Sequence, residues 1–124
     1  MPLEIFLVDD SAPVRERLEA LLGALDGVRV VGHAEDAGEA IRAILALLPH
    51  IVVLDLKLAQ GNGFDVLRAL RAQAPEVDVY LLSNFATPAY RASAAQLGAR
   101  GFFDKTQEFQ RLLDLLAARA RGAG

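Results

Sequence analysis

Ile51-Val52-Val53-Leu54-Asp55-Leu56 is the most informative stretch of the chain. Four aliphatic residues in unbroken succession describe a short strand covered on both faces, as the central strands of parallel sheets are. The carboxylate that ends it, Asp55, stands where open α/β sheets bind their ligands, beyond the carboxyl end of a strand. Upstream, Ile5-Phe6-Leu7-Val8 repeats the pattern and is stopped by Asp9-Asp10-Ser11. Val28 to Val31 reads as a second strand, and Arg29 and His33 among its valines suit a sheet edge. Val77 to Leu82 makes a fourth strand and Gly101-Phe102-Phe103 a brief fifth.

Between the strands the period becomes helical. Val14, Leu18, Leu21, Leu22 and Leu25 fall on one apolar face, the pattern of a helix packed on a sheet. Ala40, Ile41, Ile44, Leu45 and Leu48 repeat it until Pro49 stops the helix. Phe64, Leu67 and Leu70 form a third face, with Arg68 and Arg71 pointing away. Thr87 as N-cap and Pro88 in the first turn open a fourth helix. That helix is rich in Ala, with weak anchors in Tyr90, Ala94 and Leu97. The fifth is expected to begin at Thr106 and to bury Phe109, Leu112, Leu113 and Leu116, with Leu115 widening its apolar side. Five βα units with right-handed crossovers predict an α/β fold, (βα)5, with a doubly wound five-stranded parallel sheet.

The 124 residues suit a single domain, expected to span 1–124. With 53% hydrophobic residues the chain can build a core unaided. No cysteine is present, which excludes disulfides, thiolate zinc sites and a cysteine nucleophile. A net charge of −3 gives no global attraction for nucleic acid or anionic membrane. Apolar runs reach six residues at most, far short of the roughly 20 that span a bilayer. Met1-Pro2-Leu3-Glu4 lacks a basic leader segment, so the expected location is cytoplasmic.

The strand ends carry the chemistry. Asp9-Asp10 follows strand one, Glu35-Asp36 strand two, Asp55 strand three, Ser83 strand four and Lys105 strand five. If strands one and three are neighbours, three carboxylates converge, and like charges so placed share protons or need a cation. Mg2+ with oxygen ligands resolves that conflict. Lys105 and the Ser83 hydroxyl then supply donors, and the assembly reads as a phosphoryl site with a carboxylate nucleophile. His33 and His50 are isolated and lack metal-ligand spacing, so phosphate is accepted here rather than donated from a histidine.

The combination resembles the response-regulator receiver domain of two-component signalling, from about Ile5 to Ala118. The residues that carry the resemblance are Phe6-Leu7-Val8-Asp9-Asp10, then Ile51 to Leu56 running into Gly61-Asn62-Gly63-Phe64. Leu81-Leu82-Ser83 and Gly98-Ala99-Arg100-Gly101-Phe102-Phe103-Asp104-Lys105 complete them. The resemblance implies a flavodoxin-like fold with strand order 2-1-3-4-5. It implies that Asp55 is the phosphoacceptor, taking its group from a sensor histidine kinase, a histidine phosphotransfer protein or a small acyl phosphate. Asp10 and Asp55 would bind Mg2+ directly, Asp9 through water, with the Lys57 backbone carbonyl completing the protein's share. Lys105 would bridge to the phosphoryl group, Ser83 would donate to it and move inward, and Phe102 would be the switch aromatic. Its own chemistry would be limited to self-phosphotransfer and autodephosphorylation, so it is not otherwise an enzyme.

The chain departs from the family pattern in places. Thr106 stands where Pro commonly follows the lysine, and is expected to serve as an N-cap. Ala59 replaces a loop proline. Lys57, Asn84 and Phe85 are expected to set phosphoryl lifetime and donor entry. Two rivals share parts of the site. A haloacid-dehalogenase-type phosphatase needs a D-x-D pair, but Lys57 holds the second position. An FMN binder needs a hydroxyl-rich loop where Asp9-Asp10 stand. A receiver that docks without phosphorylation, and a receiver belonging to a longer DNA-binding or enzymatic regulator, remain as alternatives to a stand-alone switch. No DNA-binding motif follows the fifth helix, so no direct nucleic-acid contact and no membrane contact is expected. Output is expected through a protein target or a homodimer on the 87–119 face.

Overall fold

The computed structural model describes residues 1–123. Five strands and five helices alternate along them: β1 (Leu3–Val8), α1 (Ala12–Gly23), β2 (Val28–Ala34), α2 (Ala37–Leu47), β3 (Ile51–Leu54), α3 (Gly63–Gln73), β4 (Asp78–Ser83), α4 (Pro88–Gln96), β5 (Gly101–Asp104) and α5 (Phe109–Ala123). All strand pairs are parallel, in the order β2-β1-β3-β4-β5. Register places Val8 beside Ala34 and Leu54, Leu54 beside Leu81, and Ser83 beside Asp104. The residues that follow these ends therefore meet along one rim of the sheet.

Period-two alternation splits the apolar residues between the two faces of the sheet. Phe6, Val8, Val52, Leu54, Val79 and Leu81 pack with Ala40 and Ile44 of α2, Val66, Leu67 and Leu70 of α3, and Ala94 of α4. Ile5, Leu7, Ile51, Val53, Tyr80 and Leu82 face Leu18 and Leu22 of α1 and Leu112, Leu113 and Leu116 of α5. Side-chain caps begin four of the helices. Ser11, Asp36, Asn62 and Thr87 each accept a backbone N–H in the first turn, and Asn62 forms a reciprocal box with Asp65.

Several boundaries differ from those expected. β2 runs on to Ala34, β4 starts at Asp78 and takes in Ser83, and β5 extends to Asp104. α5 begins at Phe109 rather than Thr106. Asp104 is the reason: its Oδ1 accepts the N–H groups of Thr106 at 2.8 Å and Gln107 at 3.0 Å. That side-chain turn offers residues 104–107 an alternative to the helix. Thr106 is consequently no N-cap; its hydroxyl lies 3.5 Å from Asn84 Oδ1, and no cis peptide bond occurs among the described residues. Leu21 and Leu48 are exposed instead of lining their helical faces. Leu48 ends α2 at φ 49°, since the following Pro49 disfavours a further helical residue. Phe109 is only partly buried, and Tyr90 lies at the surface of α4, whose single fully buried residue is Ala94.

Candidate phosphoryl and metal site

The rim gathers the residues that the strand ends carry. The Asp55 N–H donates to the Val8 carbonyl at 2.9 Å and that of Asp9 to Ala34 at 3.1 Å, so both aspartates continue the ladders of their strands. Both are buried. Asp55 Oδ1 accepts the Leu56 N–H at 2.7 Å and Asp9 Oδ1 accepts that of Ser11 at 2.9 Å. Their other oxygens meet one ammonium: Lys105 Nζ lies 2.6 Å from Asp55 Oδ2 and 2.7 Å from Asp9 Oδ2. Lys105 reaches them because its own N–H donates to the Ser83 carbonyl at 3.0 Å, which fixes the loop after β5 against β4. Asp10 is exposed at the mouth, and one carboxylate oxygen from each of Asp9, Asp10 and Asp55 lies within 4.8 Å of the others.

Burial pushes the Asp9 carboxyl above the ordinary aspartate range, against the opposing effects of the Lys105 and Ser11 hydrogen bonds. Burial would likewise lower Lys105, but hydrogen bonds to Asp55 and Asp9 overcome it and raise the ammonium above its usual value. The lysine is therefore firmly charged. Two buried carboxylates share this one cation while a third waits beside them, so the niche keeps a surplus of negative charge. Hard, anionic oxygen donors so placed fit Mg2+, which favours carboxylates and dehydrates reluctantly.

Other expected residues lie further from this centre. Ser83 is buried, but its Oγ accepts the Phe85 N–H at 3.1 Å rather than touching Asp55. Phe102 is half-buried on β5 beside the core. Lys57 and Phe85 are exposed and border an apolar groove of about 280 Å³ together with Leu56, Phe64 and Tyr90. Asn84 is exposed, next to Thr106.

Four residues in the surroundings were not singled out for the site by the sequence. Arg15, in the first turns of α1, donates from Nη1 to the Asp9 carbonyl at 2.7 Å and lies 3.6 Å from Glu35 Oε2. Its position shortly after Asp9-Asp10 was the available signal. Arg91 and Glu108 pair across α4 and the loop before α5 at 2.5 Å, a long-range contact that no local spacing announces. Gly63 sets the close approach of α3 to Asp55. A Cβ there would collide with the Asp55 carbonyl oxygen and come within 2.9 Å of Leu56 Cα, so only glycine lets α3 begin directly beneath Asp55.

The family model for the response regulator receiver domain matches residues 5–117, nearly the whole chain. The chain belongs to this receiver family. Among curated relatives it is 35% identical over 103 residues to the DNA-binding transcriptional activator DevR/DosR of Mycobacterium tuberculosis, covering 83% of this chain and 48% of that protein. It is also 35% identical over 133 residues to protein-glutamate methylesterase/protein-glutamine glutaminase 5 of Anaeromyxobacter dehalogenans, covering 97% of this chain and 36% of that protein. The receiver thus spans between a third and a half of these relatives. Among solved structures it matches the signal receiver domain of the putative response regulator NarL from Mycobacterium tuberculosis, with TM-score 0.87 and 30% identity over 98% of both chains. It also matches the response regulator domain of CheB from Thermotoga maritima, with TM-score 0.87 and 25% identity, over 99% of this chain and 96% of that one. Among the described residues, no helix of this receiver is long and apolar enough to cross a membrane.

Proposed function

We propose that the chain, as one receiver domain over residues 1–124, is the phosphoacceptor of a two-component or phosphorelay system. Asp55 attacks the phosphorus of a phosphohistidine on a sensor histidine kinase or histidine phosphotransfer protein, and the imidazole leaves as the new acyl phosphate forms. The observation that carries this reading is the single ammonium of Lys105 held 2.6 Å from Asp55 within a cluster of three carboxylates. An ammonium so placed can move with its charge onto a phosphoryl oxygen as that group arrives. Asp9, Asp10, Asp55 and the Lys57 backbone carbonyl would hold Mg2+, which supplies neutralising charge for the transferring oxygens and orients them. Ser83 moves its hydroxyl from the Phe85 N–H to the phosphoryl group, and Phe102 follows. Lys57, Asn84 and Phe85 govern the entry of water and of small donors beside the niche.

On this reading the chain's own chemistry ends with accepting and hydrolysing that phosphate, in the cytoplasm, without membrane or direct nucleic-acid contact. The signal leaves by protein contact, to a target or a second copy, on the 87–119 face. The thin anchoring of α4 through Ala94 supports that choice, because weakly held elements respond most readily to a local switch. The span of the relatives favours a second reading, in which the same receiver governs an attached enzymatic or DNA-binding part. Both readings need the phosphoacceptor. Intact-mass measurement after incubation with Mg2+ and acetyl phosphate or a phosphorylated histidine phosphotransfer protein should show one labile phosphate, absent in Asp55→Asn. A protein that stays unmodified by every donor would instead be a docking module.

A further inference from the structure

One guanidinium joins three of the segments that surround the niche. Arg91 Nε donates to the Ala86 carbonyl at 3.2 Å, in the loop that follows Ser83. Its Nη1 donates to the Phe102 carbonyl at 2.9 Å, and its central carbon sits 5.3 Å from the middle of the Phe102 ring. Its Nη2 pairs with Glu108 Oε1 at 2.5 Å. The same Glu108 oxygen accepts the backbone N–H of Asp104 at 2.9 Å, one residue before Lys105. Direct contacts therefore lead from α4 to the loop that presents the lysine to Asp55.

A partly exposed ion pair contributes little by itself. Here the planar fork of arginine is divided among the loop after β4, β5 and the loop before α5, a task that lysine's single ammonium cannot perform. We propose that Arg91 is a positioning residue for the phosphoryl switch: it holds the Ala86 carbonyl, the Phe102 ring and the Lys105-bearing loop in their unphosphorylated arrangement, and α4 is freed when those contacts break. This rests on the reading of Asp55 as phosphoacceptor. New oxygens on Asp55 compete for the Lys105 ammonium and for the Ser83 hydroxyl, which now accepts the Phe85 N–H. Movement of that hydroxyl releases the Phe85 N–H, so residues 84–86 are free to shift, and with them the carbonyl that Arg91 grips. Contacts made in only one of two arrangements bias the equilibrium toward that arrangement, and their loss favours the other.

Backbone amides of the whole chain, followed by NMR and hydrogen exchange in wild type, Arg91→Ala, Arg91→Lys and Asp55→Asn, test the proposal with beryllofluoride plus Mg2+ as the phosphoryl mimic. Without the mimic, Arg91→Ala should speed exchange of the Asp104 amide about tenfold relative to amides of β1 and β3. With it, the half-saturating beryllofluoride concentration should fall about three- to tenfold, and Arg91→Lys should lie between. Exchange accelerated equally throughout the sheet would mark a merely structural residue and overturn the proposal, as would unchanged or weakened affinity for the mimic. A wild type that responds no differently from Asp55→Asn would sink the phosphoacceptor reading and the switch role with it. Unaltered Asp104 exchange in Arg91→Ala would separately remove the positioning role.

Discussion

Lys105 is the residue on which the niche turns. The spacing of strand ends placed it near Asp55, but its grip on Asp9 as well was not legible, because a ladder of strands fixes neighbours and not the reach of a side chain. The three acidic groups were expected to need a metal to stay together. In the structure the lysine already holds two of them, with its side chain only 11% exposed. Lys105→Met keeps the bulk of the stem and removes the charge, leaving two buried carboxylates facing each other. Breaking a buried pair in this way costs about 3 kcal/mol. Urea unfolding at neutral pH in metal-free buffer should show a loss of that size, whereas a change under about 0.5 kcal/mol would mean the pair is effectively solvated.

The loop between β5 and α5 is the element least well anticipated. Thr87 and Pro88 opened α4 as expected, because cap and first turn are local chemistry. Thr106 failed as a cap because Asp104, two residues before it, folds residues 104–107 into a turn by accepting the N–H groups of Thr106 and Gln107. Those bonds, that of Gln107 foremost, hold the Asp104 carboxyl below its ordinary range, and the Arg91 pair does the same for Glu108. An acid whose folded value is depressed adds stability above its unfolded value, and that stability vanishes as pH falls through the folded one. The loop should therefore stay ordered from neutral pH down to about 4, the unfolded carboxylate range, and loosen only below it. Amide exchange at Asp104, Thr106 and Gln107, corrected for its intrinsic pH dependence, should rise at that point ahead of β1 and β3. Loosening near pH 6 would show that these carboxylates do not hold the loop.

For the molecule as a whole, topology was legible because the strands are short and the central three, β1, β3 and β4, are buried on both faces. Period two sent Phe6 and Val8 to one cluster and Ile5 and Leu7 to the other, and five βα units then leave few arrangements. Long-range polar contacts such as Arg91 with Glu108 depend on where helices lie once folded, so no window of sequence contains them. The surplus negative charge at the rim also acts on the whole fold. A cation that binds only the native niche stabilises it by mass action, by about 1.4 kcal/mol at ten times its dissociation constant. Thermal unfolding should then shift upward by about 4 °C with saturating Mg2+, and the shift should disappear in Asp10→Asn. An equal shift in both proteins would place the ion elsewhere.

The assignment of Asp55 is tested most directly by locating the phosphate itself. After reaction with Mg2+ and a phosphodonor, borohydride converts an acyl phosphate on aspartate to homoserine, which survives proteolysis and can be mapped by mass. Homoserine at position 55 alone is the expected result. Homoserine at position 9 or 10, or stable phosphate on His33 or His50 with residue 55 unmodified, would contradict it.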